Sequence, residues 1–330
     1  MSFLEFDCSD RTFEEIQIFA GFQDSNLEML NKCFKSVFMI RDQKIKVEVN
    51  DTLDTHKVEE VIDACFSIID TQHRLNSQDV NYICSLAFKN RLKDFKAHQL
   101  QAVCKTKTGK MIYPKTIGQA ILCDAMRHNE IVFATGVAGT GKTYLAVAYA
   151  VNMLKSERVE KIILTRPAVE AGESLGFLPG DMKEKVDPYL RPLYDALNEM
   201  LGLETVEKYV EKQVIEIAPL AFMRGRTLND AVVILDEAQN ATCAQMKMFL
   251  TRMGKNCKMV VTGDVTQIDL IKKKDSGLMQ ACTILDHIVG ISIIHLENSD
   301  VVRNPLVQKI IERYAKVSTQ IENVSKKVNY

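Results

Sequence analysis

The sequence predicts a doubly wound, mostly parallel α/β domain preceded by a small α+β domain, on three observations. Short apolar runs alternate with helical apolar spacing through the C-terminal part of the chain. A glycine-rich octamer ending in Lys142-Thr143 sits where one such run meets the next helix. The 330 residues are 46% hydrophobic and 26% charged, enough for about two domains that each bury a core.

In chain order, Phe13–Ala20 and Ile45–Val49 read as strands, and Asn26–Phe34 and Val58–Ile69 carry helical spacing. Leu75–Lys93 extends this first domain, residues 1–88, as a further helical element with Ser77 as its cap. Residues 89–112 form a basic connector. From Lys89 to Lys115 there are eight basic side chains and one acid, Asp94, with Thr108-Gly109 marking a turn. Two readings of this stretch stand open, a solvated connector and a contact for phosphate backbones.

The second domain, residues 113–330, has strand candidates at Ile131–Thr135, Lys161–Thr165, Val214–Ile217, Val232–Leu235, Met259–Thr262 and Ile291–Leu296. Between and after them, Thr143–Leu154, Asp181–Leu201, Thr242–Met253, Gly277–Leu285 and Pro305–Tyr314 read as helices. Thr242 with Gln245 forms a capping box, and Gly254 is expected to end that helix. Asn304 caps the last helix with Pro305 in its first turn.

Composition excludes several classes. With 42 basic and 43 acidic residues the chain is no wholesale polyanion binder, although a local basic patch fits within that balance. Nine cysteines without a C-x-x-C pair argue against a disulfide framework or zinc site and for reduced core thiols. No apolar run is long enough to span a bilayer, and Met1–Asp10 lacks the features of a secretory signal. A cytoplasmic location without membrane contact is therefore expected.

The chemistry concentrates in three segments. Gly136-Val137-Ala138-Gly139-Thr140-Gly141-Lys142-Thr143 fits G-x-x-x-x-G-K-[ST] in strand-turn-helix context. Its glycines let backbone N–H groups face phosphates, Lys142 supplies charge, and the Thr143 hydroxyl suits Mg²⁺. Asp236 and Glu237 end the apolar run Val232–Leu235. Asp236 is expected to hold Mg²⁺ through water and Glu237 to polarise an attacking water, which points to hydrolysis. Gln267, after Thr262-Gly263-Asp264, offers an amide that can sense a γ-phosphate. No Asn-Lys-x-Asp segment for guanine follows, so ATP is expected, with Gln119 a candidate to read adenine.

Together these residues resemble the PhoH-like family of ATPases, which is related to the first motor lobe of superfamily 1 helicases. The resemblance covers about Tyr113 to Tyr314 and rests on ordered motifs. They are Pro114-Lys115-Thr116-Ile117-Gly118-Gln119, the octamer, the run from Thr165 to Glu173, and Leu175 to Asp181. Arg224-Gly225-Arg226-Thr227-Leu228, Asp236-Glu237-Ala238-Gln239-Asn240, Gly263-Asp264-x-x-Gln267 and Asp300-Val301-Val302-Arg303 continue the order.

The resemblance implies a P-loop NTPase fold of the RecA/helicase type, a KH-like N-terminal domain, and Mg²⁺-dependent ATP hydrolysis coupled to RNA, single-stranded or structured. It implies adenine recognition at Gln119, phosphate and metal binding at Gly139, Gly141, Lys142, Thr143 and Asp236, water activation at Glu237, and γ-phosphate sensing at Gln267. Arg303 is similar to the arginine that stabilises transition-state charge. Asn304 replaces the family's usual histidine, and Gly21-Phe22-Gln23-Asp24 lacks the second glycine of G-x-x-G. A homo-oligomeric ring, six subunits in the family, and an RNA-processing nuclease partner are implied as well.

One P-loop lobe fits in this length, so the candidates to complete the site are Arg303 in cis and a neighbour's Arg303, Arg224 or Arg226 in trans. Arg166 and Glu173 fall where helicase relatives touch single strands. Other readings stay open: a nucleotide-switched scaffold that moves no strand, a small-molecule kinase, and an RNA-binding module with an inactive P-loop.

Overall fold

A computed structural model describes residues 2–97, 101–167 and 182–302, together with Arg313. The first unit runs β1 (Phe3–Asp7), α1 (Phe13–Ala20), α2 (Ser25–Phe34), β2 (Phe38–Arg41), β3 (Lys44–Glu48) and α3 (Thr55–Gln72). The helices α4 (Ser77–Phe88) and α5 (Leu92–Ala97) complete it. Its strands form an antiparallel sheet in the order β1-β3-β2. Phe19, Leu30, Ile45, Val58, Ile69 and Ile83 fill the core between sheet and helices.

Phe13–Ala20, expected as a strand, is helical. Thr12 accepts from the Glu15 N–H while the Glu15 carboxylate accepts from the Thr12 N–H, and Glu14 and Glu15 stand in the first turn. This reciprocal cap and the favourable charge at the helix N-terminus outweigh the strand preference of its aromatic and β-branched residues. The cap of α4 is Asn76, boxed with Asp79, rather than Ser77. The Ser77 hydroxyl instead donates to the Ser25 carbonyl and to Asn26 Oδ1.

The basic stretch 89–112 is built into both cores. Leu92 and Phe95 pack with the first unit, and Val103, Cys104 and Ile112 with the second. A hairpin of β4 (Cys104–Lys105) and β5 (Met111–Ile112) turns at Gly109, whose φ of 87° is in the left-handed region. Sequence reading found its turn but not its two-residue strands.

The second unit continues with α6 (Ile117–His128), β6 (Ile131–Gly136), α7 (Lys142–Lys155), β7 (Lys161–Arg166), α8 (Met182–Leu201) and α9 (Leu203–Glu211). Then come β8 (Ile215–Pro219), β9 (Ala231–Leu235), α10 (Cys243–Leu250), β10 (Cys257–Gly263), α11 (Gly277–Ile284) and β11 (Ile291–Leu296). Six parallel strands lie in the order β11-β6-β10-β9-β7-β8. Two apolar cores cover the sheet faces: Leu122, Val147, Leu164 and Leu193 in one, Phe133, Val233, Phe249 and Met259 in the other. Strands buried on both faces need not alternate, which is why they read as continuous apolar runs.

The strand expectations of the second domain agree with observation to within a residue or two. The helix after Thr242 stops at Leu250, short of Gly254. There the Gly254 N–H donates to the Leu228 carbonyl in a connecting loop. All nine cysteines are free, six of them buried. Among the described residues, no helix is long and apolar enough to cross a membrane. The expected helix Pro305–Tyr314 lies outside the described residues apart from Arg313.

Candidate nucleotide site

The carboxyl ends of β6, β9 and β10 meet in one crevice, because β10 lies between the other two. The P-loop leaves β6 through Gly136, whose φ is 146°. A Cβ there would stand 2.4 Å from the Leu296 carbonyl oxygen, so the close approach of β11 requires glycine. Gly139 and Gly141 follow at φ 89° and 79°, turning the chain into α7. The first N–H groups of that helix lack intrahelical acceptors and open on the crevice. Lys142 is 7% exposed, and its ammonium donates to the Gly136 and Val137 carbonyls at 2.6 and 2.9 Å.

Thr143 and Asp236 meet directly. The Thr143 hydroxyl donates to Asp236 Oδ1 at 2.7 Å, and the Thr262 hydroxyl donates to the same oxygen at 2.8 Å. Asp236 is 6% exposed and forms no ion pair with a described residue. A buried carboxylate without a cation, beside a helix N-terminus and a threonine hydroxyl, fits a hydrated Mg²⁺ that keeps most of its waters. Thr165 Oγ1, buried at the end of neighbouring β7, has no partner among the described residues, as is common for groups served by water.

Glu237 follows in the left-handed region at φ 52°, a conformation that costs a non-glycine residue free energy and recurs at functional sites. Its Oε1 is 2.9 Å from Arg166 Nη2, and its Oε2 accepts from the Gln239 amide at 2.5 Å. Gln239, fully buried, also accepts from the Asp264 N–H and donates to the Gln267 carbonyl. Asp264 Oδ2 in turn accepts from the Ala138 N–H and from the Gln267 amide, both at 2.9 Å. One carboxylate thus ties Gln267 to the P-loop. Ala138, Lys142, Thr143, Asp236, Glu237 and Gln267 line a common cavity of about 250 Å³.

A second cavity of about 300 Å³ lies beyond Gly139 and Gly141, against Gln119 and Tyr144. Gln119 is buried, with its Oε1 accepting from the Lys115 N–H and its Nε2 donating to the Thr140 carbonyl. Its second amide hydrogen and the second lone pair of Oε1 are left for a ligand. Arg74 of the first unit lines this cavity together with Lys110 and Lys115. Burial, joined by the like charges of Arg74 and Lys110 and opposed by Asp79, pulls the Lys115 ammonium below its ordinary range. Tyr144 donates to Glu199 at 2.9 Å, and burial with that bond pushes the phenol up.

Arg226 is committed elsewhere, to Glu216, through two parallel hydrogen bonds of 2.5 and 2.7 Å that raise its guanidinium above the usual value. Arg224 is exposed after the short 3₁₀ turn Leu220–Met223. Glu173, Arg303 and Asn304 lie outside the described residues. Thr262, Gln239 as a hub, and Arg74 were missed by sequence reasoning. Their signals are contacts between residues far apart in the sequence, for which no local pattern exists.

A six-stranded parallel sheet with this loop at the end of β6 and a carboxylate pair at the end of β9 defines a P-loop nucleoside triphosphatase fold. Residues 111–315 match the family model described as "PhoH-like protein". The PhoH-like protein of Bacillus subtilis is 52% identical over 92% of this chain and 94% of its own length. That of Mycobacterium leprae is 47% identical over 89% and 84%. Protein PhoH of Escherichia coli is 46% identical over 58% of this chain and 54% of its own. The chain belongs to the PhoH-like family.

Proposed function

We propose that this protein is a Mg²⁺-dependent ATPase whose hydrolysis is coupled to RNA binding or remodelling. The observation that carries the hydrolytic half is the Thr143–Asp236 contact with Glu237 in the same cavity. ATP straddles the P-loop, its nucleoside in the cavity of Gln119 and Tyr144 and its β- and γ-phosphates against Lys142 and the first turn of α7. The Lys142 ammonium exchanges carbonyl oxygens for phosphate oxygens. Mg²⁺, when bound, neutralises charge on the β- and γ-phosphates. Thr143 and Asp236 hold it, Glu237 accepts a proton from the attacking water, and Gln267 senses the γ-phosphate. Arg303 or a neighbour's arginine stabilises the transition state in a homo-oligomeric ring.

The RNA half is supported by the β-α-α-β-β-α order of β1 to α3 in the first unit, which is that of a KH-like module. Its α1–α2 turn, Gly21 to Asp24, borders a groove lined by Ile16, Leu27, Phe38 and Ile40, with Phe22 84% exposed. The apolar floor suits bases. Asp24 and Glu28 on the same groove offer no charge for phosphates, so backbone contacts fall to other surfaces.

Steady-state ATP hydrolysis with Mg²⁺, with and without single-stranded RNA, tests both halves. Turnover that RNA raises and that Lys142→Ala and Glu237→Gln abolish is expected. Turnover indifferent to RNA leaves the ATPase and favours a nucleotide-switched scaffold, with protein partners such as RNA-processing nucleases. No turnover at all removes the hydrolytic reading.

A further inference from the structure

Glu237 is positioned to act on water, yet both of its carboxylate oxygens are engaged by protein donors, Arg166 at Oε1 and Gln239 at Oε2. The Gln239 contact is internal to a fixed network, because Gln239 is fully buried and also bound to Asp264 and Gln267. The Arg166 contact is of another kind. Arg166 ends β7, which pairs with β9 so that Thr165 lies opposite Leu235, and the Asp236 N–H donates to the Thr165 carbonyl. That register delivers the guanidinium to the carboxylate, while the Arg166 side chain keeps 22% of its surface exposed and that of Glu237 keeps 35%. The pair is therefore within reach of a ligand at the mouth of the crevice.

We propose that Arg166 is a positioning residue that occupies Glu237 Oε1 in place of the attacking water, and that a nucleic-acid phosphate taking up its guanidinium releases the carboxylate for hydrolysis. The competition is chemically balanced. A guanidinium fork binds carboxylate and phosphate alike, so exchange of one for the other breaks one charge-assisted contact and makes another. A partly exposed ion pair is worth little, which lets a bound strand displace it. The inference rests on the RNA-coupled ATPase reading and supplies its coupling element.

The test is steady-state ATP hydrolysis by the full chain, with and without single-stranded oligouridylate as the probe, for wild type, Arg166→Ala, Arg166→Lys and the double variant Arg166→Ala/Glu237→Gln. ATP affinity is measured in parallel with a fluorescent analogue. Arg166→Ala is expected to turn over about fivefold faster than wild type without RNA, to gain nothing further from RNA, and to bind ATP as wild type does. The double variant is expected to be inactive, tracing the gain to Glu237. Arg166→Lys, one point charge in place of the fork, is expected to fall between, and it carries the test if the alanine variant does not fold. Slower RNA-free turnover at unchanged ATP affinity overturns the proposal, since Arg166 then assists hydrolysis. So does an Arg166→Ala protein that RNA still stimulates as it does wild type. A wild-type protein that hydrolyses ATP but ignores RNA also overturns it, whereas one that hydrolyses none fails the underlying ATPase reading instead.

Discussion

Thr143 and Asp236, 93 residues apart, are joined by a hydrogen bond of 2.7 Å, and Thr262 from the strand between them closes on the same oxygen at 2.8 Å. The bond fixes the end of β9 against the first turn of α7, the geometry a nucleotide-bound cation requires. A buried carboxylate with no cationic partner among the described residues costs stability, which points to function. Asp236→Asn keeps a carbonyl acceptor for both hydroxyls and removes the charge. It is expected to leave Tm unchanged or raise it while lowering turnover about 10²-fold or more. Parallel loss of stability and turnover, measured by thermal unfolding and ATP hydrolysis, would falsify the functional reading of this carboxylate.

Two glycines separate backbone strain from close packing. Gly225 has φ 78° with open space around its missing Cβ, and Gly136 has φ 146° with the Leu296 carbonyl 2.4 Å from that position. Gly225→Ala is expected to cost about 1 kcal/mol from backbone conformation alone. Gly136→Ala must in addition push β11 from β6 and is expected to cost about 3 kcal/mol or more, with loss of ATP binding. Denaturant titration of the two variants checks the difference. Equal costs would mean that the β6–β11 spacing yields freely.

Asp79 makes stability depend on pH. Its carboxylate accepts from the Asn76 N–H, but burial dominates and raises it above the ordinary value despite the nearby Arg74 and Lys115. An acid whose folded value is raised favours the folded state fully below its unfolded value, and that contribution is lost as pH rises through the folded value. At pH 7 Asp79 therefore costs stability. Asp79→Asn is expected to raise Tm at pH 7, and the gap is expected to close as the solution is acidified below the ordinary carboxylate range. A gap that persists at pH 3 assigns the effect to altered packing.

The sheet and the P-loop were legible in the sequence because each signal is local. A buried parallel strand is a short apolar run, and the octamer joins one such run to a helix. Beyond β1, β2, α6 and α9, local elements that sequence reading left unassigned, its misses are too short or too distant. The strands β4 and β5 have two residues each, below any period. Phe13–Ala20 carries apolar residues at spacings that suit both periods, and Thr12 and Glu15, just before and inside it, decide for helix. Arg166 meets Glu237, and Arg74 reaches the Gln119 cavity, only once strand order and domain packing are fixed. Gln119 and Gln267 line the two cavities beside the P-loop, but their amides are partly spent within the protein, on Thr140 and Asp264. Residue type alone does not reveal such commitments.

Arg224 and Arg226, two residues apart, are expected to behave differently. Arg226 is locked to Glu216 across β8, so Arg226→Ala leaves a half-buried carboxylate without its partner and is expected to lower Tm, with turnover falling only as far as folding does. Arg224 is exposed beside Gly225 and Phe222, itself 54% exposed, and under the proposed ring it is the arginine of this loop available to a neighbouring subunit. Arg224→Ala is expected to keep Tm and ATP affinity but lose turnover. Mixing it with Lys142→Ala distinguishes action in trans. In a ring assembled at random from equal amounts, about a quarter of the sites pair an intact Lys142 with a neighbour's intact Arg224. Two inactive proteins should then regain activity on mixing, by roughly that fraction of the wild-type rate. If Arg224 acts within its own subunit, every site in the mixture lacks one of the two groups and the mixture stays inactive.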